Sequence, residues 1–136
     1  MSISPRARRY VLSPVAFVLS ALIFGTAVAS AAGSWTPLPQ SVCYSDGSWF
    51  TSTNVRTVHS GNSAIKLKVS QAPGGGLAFY VKNYNTGNRI GSIVYSPPIN
   101  TPLLCGSAPA GTDFVNVFKE TEAGKKPYYW NGSEYY

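Results

Sequence analysis

The chain has 136 residues, and its 11 Lys and Arg against five Asp and Glu give a formal net charge of +6. Three of the basic residues lie within the first nine positions, so the rest of the chain has eight basic and five acidic residues, a net of +3. Those eight cations are scattered and form no stripe of the kind that follows nucleic-acid phosphates. Composition and charge therefore argue against nucleic acid as a partner.

The beginning of the chain has the pattern of a secretory signal peptide. Three arginines precede an apolar run from Val15 to Phe24, and small residues follow, with cleavage expected after Ala31 in preference to Ala29. The apolar run is shorter than the ~20 residues of a membrane span. The sequence predicts a signal peptide at 1–31 and a single secreted domain at 32–136, an organisation typical of exported bacterial proteins, with no membrane span after processing.

Two cysteines, Cys43 and Cys105, lie in the predicted domain. An even count in an exported chain predicts a disulfide, which here would close a span of 62 residues (105 minus 43) and stabilise the fold by roughly 2–4 kcal/mol. Two cysteines and the single histidine, His59, cannot supply four soft ligands to a metal. We therefore expect a structural disulfide and no metal site.

The first part of the domain is rich in strand-forming residues. The segment "SWFTSTNVRTVHS" (48–60) predicts a long early strand that bends midway. The segment "AIKLKVSQ" (64–71) alternates, which places Ile65, Leu67 and Val69 on one face of a second strand.

The glycine-rich stretch "PGGG" (73–76) is the feature most like a nucleotide-binding motif. A phosphate-binding glycine loop must lead into a helix, whose N-terminus supplies aligned N–H groups. Here the strand-like "LAFYVKNY" (77–84) follows instead. The glycines therefore predict a turn, and no cofactor is expected.

Further strands are predicted in the second half of the domain. A hairpin loop with Gly87 in the left-handed conformation joins "LAFYVKNY" to "RIGSIVYS" (89–96). The segment "TDFVNVFKE" (112–120) predicts a further strand, and "PYYWNGSEYY" (127–136) adds a last strand or a terminal hairpin. Short strands separated by turns, without helical periodicity, predict an all-β fold: a small antiparallel β-sandwich, or a small barrel, with one disulfide. The strand order stays open.

Two segments are candidate binding surfaces. The loop 96–104 contains three prolines, which favour a stiff, extended loop able to enter a protease cleft, with Pro98, Ile99, Asn100 and Leu103 as its binding residues. A plain connection between strands is the alternative.

The second candidate surface is the aromatic C-terminal tail, in which Asn131-Gly132 is a dipeptide typical of turns. Together with Trp35 and Trp49, the tail aromatics can form a platform on which sugar rings or peptide chains stack, unless they are buried in the core. The predicted binding residues of the tail are Tyr128, Tyr129, Trp130 and Tyr135.

Catalytic chemistry has few candidates. His59 is the single histidine, the chain has no G-x-S-x-G nucleophile motif, and Glu120 and Glu122 lie in an apparent surface loop. We therefore predict a non-enzymatic protein that binds an extracellular protein, glycan or envelope polymer through its surface. An inhibitor of an extracellular protease or hydrolase, acting through loop 96–104, is the first alternative, and a small secreted toxin or hydrolase is the second. The oligomeric state stays open.

Overall fold

The computed structural model describes residues 33–59, 64–124 and 129–136. These residues contain nine β-strands and no helix, which confirms the all-β prediction. The strands are β1 (Trp35–Val42), β2 (Phe50–Thr51), β3 (Arg56–Thr57), β4 (Ala64–Gln71), β5 (Leu77–Asn83), β6 (Arg89–Tyr95), β7 (Leu103–Ser107), β8 (Asp113–Glu120) and β9 (Tyr129–Tyr135).

The strands form two antiparallel sheets. Sheet A has the order β1-β9-β4-β7, and sheet B has the order β2-β8-β5-β6, with β3 also paired to β8. The inner faces of the two sheets share one hydrophobic core, as in a β-sandwich.

Strand alternation places the core residues as the sequence predicts. Ile65, Leu67 and Val69 of β4 are completely buried, while the lysines between them point outward. The centre of the core is Trp130 of β9, whose ring makes edge-on contacts with Phe79 and Phe118, at centroid distances of 5.6 and 5.0 Å. These two phenylalanines belong to sheet B, so Trp130 joins the two sheets by aromatic packing.

The two glycine turns also match their predictions. In the stretch 73–76 the Gly76 N–H donates to the Pro73 carbonyl at 3.0 Å, Gly76 has a φ of +87°, and β5 begins at the next residue. In the hairpin loop Gly87 has a φ of +73°, and the Asn83 side chain accepts hydrogen bonds from two backbone N–H groups of the loop. Both stretches therefore shape turns between strands.

Three local predictions differ from the structure. The long early strand is divided into β2 and β3, because the chain leaves the ladder of β8 after Ser52, whose N–H donates to the Asn116 carbonyl, and pairs with β8 again at Arg56. The strands β1 and β7 were not predicted, because β1 contains two prolines and β7 begins in the proline-rich loop. Asn131-Gly132 lies within β9 instead of in a turn, and a Cβ atom at Gly132 would overlap the Lys68 carbonyl oxygen of β4. Glycine is therefore needed there for close strand packing.

Candidate functional site

The predicted disulfide between Cys43 and Cys105 is wrong: both cysteines are free and buried. Cys43 follows β1 and Cys105 lies in β7, at opposite edges of sheet A, three strand spacings or about 14 Å apart. The register also places them near opposite ends of β9, because Val42 pairs with Tyr129 whereas Leu104 lies level with Tyr135. A disulfide needs Cα atoms within roughly 7 Å of each other, so these strand positions exclude it.

Both thiols have the environment of unreactive core cysteines. Burial, with a smaller contribution from the nearby Glu120 carboxylate, raises the pKa of Cys43 from 9.0 to about 12. Burial, with a smaller contribution from Glu134, likewise raises the pKa of Cys105 to about 12. Nucleophilic thiol chemistry needs the thiolate, which these environments disfavour.

The structure divides the aromatic tail among three places. Trp130 is in the core and is unavailable as a surface platform. Tyr129 is exposed at the beginning of β9, and Tyr135 lies six residues away at its end. Tyr128 lies outside the described residues. The tail therefore does not form one continuous platform, and Tyr135 is its member that joins other candidate residues.

A row of side chains crosses the outer surface of sheet A at Tyr135. The register pairs Trp35 with Tyr135, Tyr135 with Lys66, and Lys66 with Leu104, so one row spans all four strands. Trp35 is 38 % exposed and Leu104 is 61 % exposed. We call this row, together with Lys68, the sheet A face. The predicted association of Trp35 with the tail is thus found at Tyr135, whereas Trp49 packs on Tyr80 of sheet B.

The two lysines of the sheet A face lie over its aromatic rings. The Lys66 ammonium is 5.3 Å from the centre of the Tyr135 ring, and the Lys68 ammonium is 5.0 Å from the centre of the Trp35 ring. The two rings are themselves 5.7 Å apart. Within the described part of sheet A the strands carry one acidic residue, Glu134, and its side chain points inward and is fully buried. The sheet A face is therefore both aromatic and cationic.

The loop 96–104 is folded back on the domain instead of being extended. The Thr101 N–H donates to the Pro98 carbonyl at 3.3 Å, and Asn100 has a φ of +58°, which together define a tight turn. The Asn100 N–H donates to the Val69 carbonyl of β4 at 2.7 Å. Ile99 is 48 % exposed at the tip of this turn.

The end of the same loop has become part of sheet A. Leu103 begins β7 and pairs with Leu67 in the sheet. The expected extended conformation is thus not found, because hydrogen bonds to β4 hold the loop in a turn. The inhibitor hypothesis stays a prediction.

A buried ion pair that the sequence analysis missed joins the two sheets. The Arg56 Nε of β3 lies 3.2 Å from Glu134 Oε2 of β9, and the Glu134 side chain is fully buried. The Asn116 side-chain amide of β8 donates to the same oxygen at 3.1 Å. The burial of Glu134 could have been predicted from the alternation of β9, because Glu134 has the same parity as the buried Trp130.

The ion pair lies beside a small cleft between β1 and the β2–β3 segment, and Arg56, Asn116 and Trp130 contribute to its walls. The centre of a water molecule can occupy about 20 Å³ of the cleft, so the cleft has room for one water. Asn116 Oδ1, Trp130 Nε1 and Glu134 Oε1 are buried and have no hydrogen-bond partner among the described residues.

Burial controls the ionisation of Glu134. It raises the pKa of this carboxyl from 4.5 to about 7, because loss of hydration outweighs the opposing effects of the Asn116 hydrogen bond and the Arg56 charge. A pKa near neutrality suits a general acid or base. The carboxylate is however fully buried, so in this conformation it contacts the opposite sheet and not solvent.

His59 and the other acidic side chains lie in different environments. His59 is exposed after β3, and its ring stacks on Tyr136. Asp46 lies in an exposed turn, where hydrogen bonds from the Ser48 hydroxyl and N–H lower its pKa. Glu120 is completely buried, in contrast to the expected surface loop, and accepts a hydrogen bond from the Gly75 N–H at 2.8 Å. Among the described residues, no three His, Cys, Asp or Glu side chains form a cluster that could hold a metal ion.

Comparisons with known proteins assign no family. No family model, curated protein or solved structure shows significant similarity to the chain. The part of the chain that the structure describes also contains no helix long and apolar enough to cross a membrane. A functional assignment therefore depends on the chemistry of the chain's own surfaces.

Proposed function

We propose that this protein is an exported, non-enzymatic binding protein that holds an acidic polysaccharide on the sheet A face. The observation that carries the proposal is the row Trp35–Tyr135–Lys66–Leu104, which crosses all four strands of the sheet. It spans about three strand spacings, or about 14 Å, which suits an extended polymer lying across the strands.

The chemistry of the face matches the two parts of an acidic sugar. The C–H face of a pyranose ring packs on an aromatic ring such as Trp35, whose own polar N–H tolerates the wet surroundings of a glycan. The carboxylates of the sugar attract the ammonium groups of Lys66 and Lys68, which no acidic side chain neutralises among the described residues of this face. Each lysine ammonium lies within 5.3 Å of a ring centre, so it is close to a sugar that contacts the exposed part of that ring.

Binding of polygalacturonate, with neutral dextran as the comparison polymer, tests the proposal. A lysine near an anionic surface contributes about 1 kcal/mol, so K66Q/K68Q should weaken polygalacturonate binding to the sheet A face by about 30-fold. Trp35→Ala should weaken it as well, and raised salt should weaken the wild type more than K66Q/K68Q. Tyr84→Ala is the matched control, because Tyr84 is an exposed aromatic residue in the hairpin loop away from this face.

The outcomes divide clearly. The proposal is supported if the wild type binds polygalacturonate, if Trp35→Ala and K66Q/K68Q lose affinity, and if the affinity of Tyr84→Ala equals that of the wild type. Equal binding of dextran and polygalacturonate would contradict the charge argument. Absence of polygalacturonate binding, or full affinity in both face variants, would overturn the assignment.

A further inference from the structure

The outer surface of sheet B carries a second set of cations. Lys82 of β5 and Arg89 of β6 are directly paired across the two strands, so their side chains share one face. Like charges in this position destabilise a sheet. On the same face, the Lys119 ammonium lies 5.0 Å from the centre of the Trp49 ring.

Aromatic side chains cover an apolar floor on this surface. Ala78, Val115 and Val117 have the outward parity of β5 and β8, yet all three are buried. The Trp49 and Tyr80 rings pack edge-on at 5.1 Å on this side of the sheet. We call the surface made by Trp49, Tyr80, Lys82, Arg89, Tyr95 and Lys119 the sheet B face.

The exposed margin of this surface is also aromatic. Tyr95 pairs with Ala78 across β5 and β6 and is 62 % exposed. It lies in one cross-strand row with Lys119, because Ala78 also pairs with Lys119. Across the three strands, this row therefore contains an exposed aromatic ring, a small residue and a lysine. The row on sheet A likewise contains aromatic rings and a lysine.

The charge of the sheet B face favours an anionic occupant. Among the described residues, the strands of sheet B carry one acidic side chain with outward parity, Asp113. This carboxylate accepts a hydrogen bond from the Thr57 hydroxyl at 2.6 Å. No ion pair joins Lys82, Arg89 or Lys119 to an acidic side chain in the described part of the chain. The repulsion between Lys82 and Arg89 would be relieved by a bound polyanion.

The two faces are the outer surfaces of two sheets packed on one core, so they point in opposite directions. Building on the proposed function, we infer that the sheet B face binds a second strand of the same acidic polysaccharide, so that one molecule bridges two polymer chains. Because the faces point in opposite directions, one straight polymer strand cannot contact both.

Light scattering of polygalacturonate mixed with increasing amounts of the protein tests this inference. Bridging by a bivalent protein gives a scattering maximum at an intermediate ratio, followed by a decline when excess protein occupies each polymer separately. We expect the wild type to show this maximum. The variants K82Q/R89Q and K66Q/K68Q should each lose the maximum, because each weakens one face and leaves the other face to bind polygalacturonate.

Three results would overturn the inference and leave the proposed function intact. In the first, the wild type binds polygalacturonate but shows no scattering maximum. In the second, K82Q/R89Q shows the same maximum as the wild type. In the third, the protein alone sediments as a dimer, which would itself supply two sheet A faces. Failure of the wild type to bind polygalacturonate at all would instead refute the proposed function. The midpoint of thermal unfolding of each variant, compared with that of the wild type, tests whether the charge changes leave the fold intact.

Discussion

Replacing Glu134 by Gln should remove a large part of the pH dependence of stability. The substitution keeps the size of the side chain and an oxygen that can accept from Arg56 and Asn116, but it removes the ionisable group. Every other carboxyl group is common to the two proteins. The difference between their free energies of unfolding therefore isolates the ionisation of Glu134.

The magnitude follows from the raised pKa. A shift from 4.5 to about 7 corresponds to about 3 kcal/mol. The unfolded chain loses its Glu134 proton near pH 4.5, whereas the folded protein keeps it until about pH 7. Between these values the unfolded state binds fewer protons than the folded state, so the stability contributed by this group falls as the pH rises and is constant above about pH 7.

Urea denaturation of both proteins from pH 4 to pH 8, followed by Trp fluorescence, measures the effect. The stability of Glu134→Gln relative to the wild type should increase by about 3 kcal/mol over this range, with most of the change between pH 4.5 and 7. A relative stability that stays constant with pH would refute the assignment of a raised pKa to Glu134. A relative stability that decreases would show that the Arg56 charge, and not burial, dominates its environment.

Three further predictions concern the core and the close strand contacts. Trp130→Ala should lower the free energy of unfolding by about 3–5 kcal/mol because it empties the centre of the core, and a loss below about 1 kcal/mol would contradict that placement. Gly132→Ala should cost about 1–3 kcal/mol because its Cβ overlaps the Lys68 carbonyl, whereas Ser133→Ala should be nearly neutral. When the protein is denatured without a reductant, two thiols, Cys43 and Cys105, should be titratable, and both should react slowly in the native protein. Finding no titratable thiol would show that the cysteines form a disulfide.

The strands were predictable wherever the pattern of side chains is local. The alternation of Ile65, Leu67 and Val69 identified β4 and its buried face, and the glycines of the stretch 73–76 and of the hairpin loop identified two turns. The strand β1 was not predictable in this way, because Pro37 and Pro39 are unfavourable in central strands and are accommodated here at the edge of sheet A.

The candidate sites were predicted in part. Trp35 and Tyr135 were both named as possible members of an aromatic platform, but the lysines that accompany them were not. Trp130 is aromatic like its neighbour Tyr129, but its opposite parity in β9 places it in the core. Residue type indicates what a side chain can bind, whereas its strand parity and the partner sheet decide whether it reaches the surface.

The sequence by itself determined most of the segments that become strands, where several turns lie and which residues of β4 face the core. Only the tertiary structure decided that Cys43 and Cys105 lie at opposite edges of sheet A, and that Arg56 meets Glu134 across the core. The physical reason is that alternation and turn chemistry act between near neighbours in the chain. Strand order depends instead on backbone hydrogen bonds, which every residue type can make, proline as an acceptor only, together with the packing of the whole core.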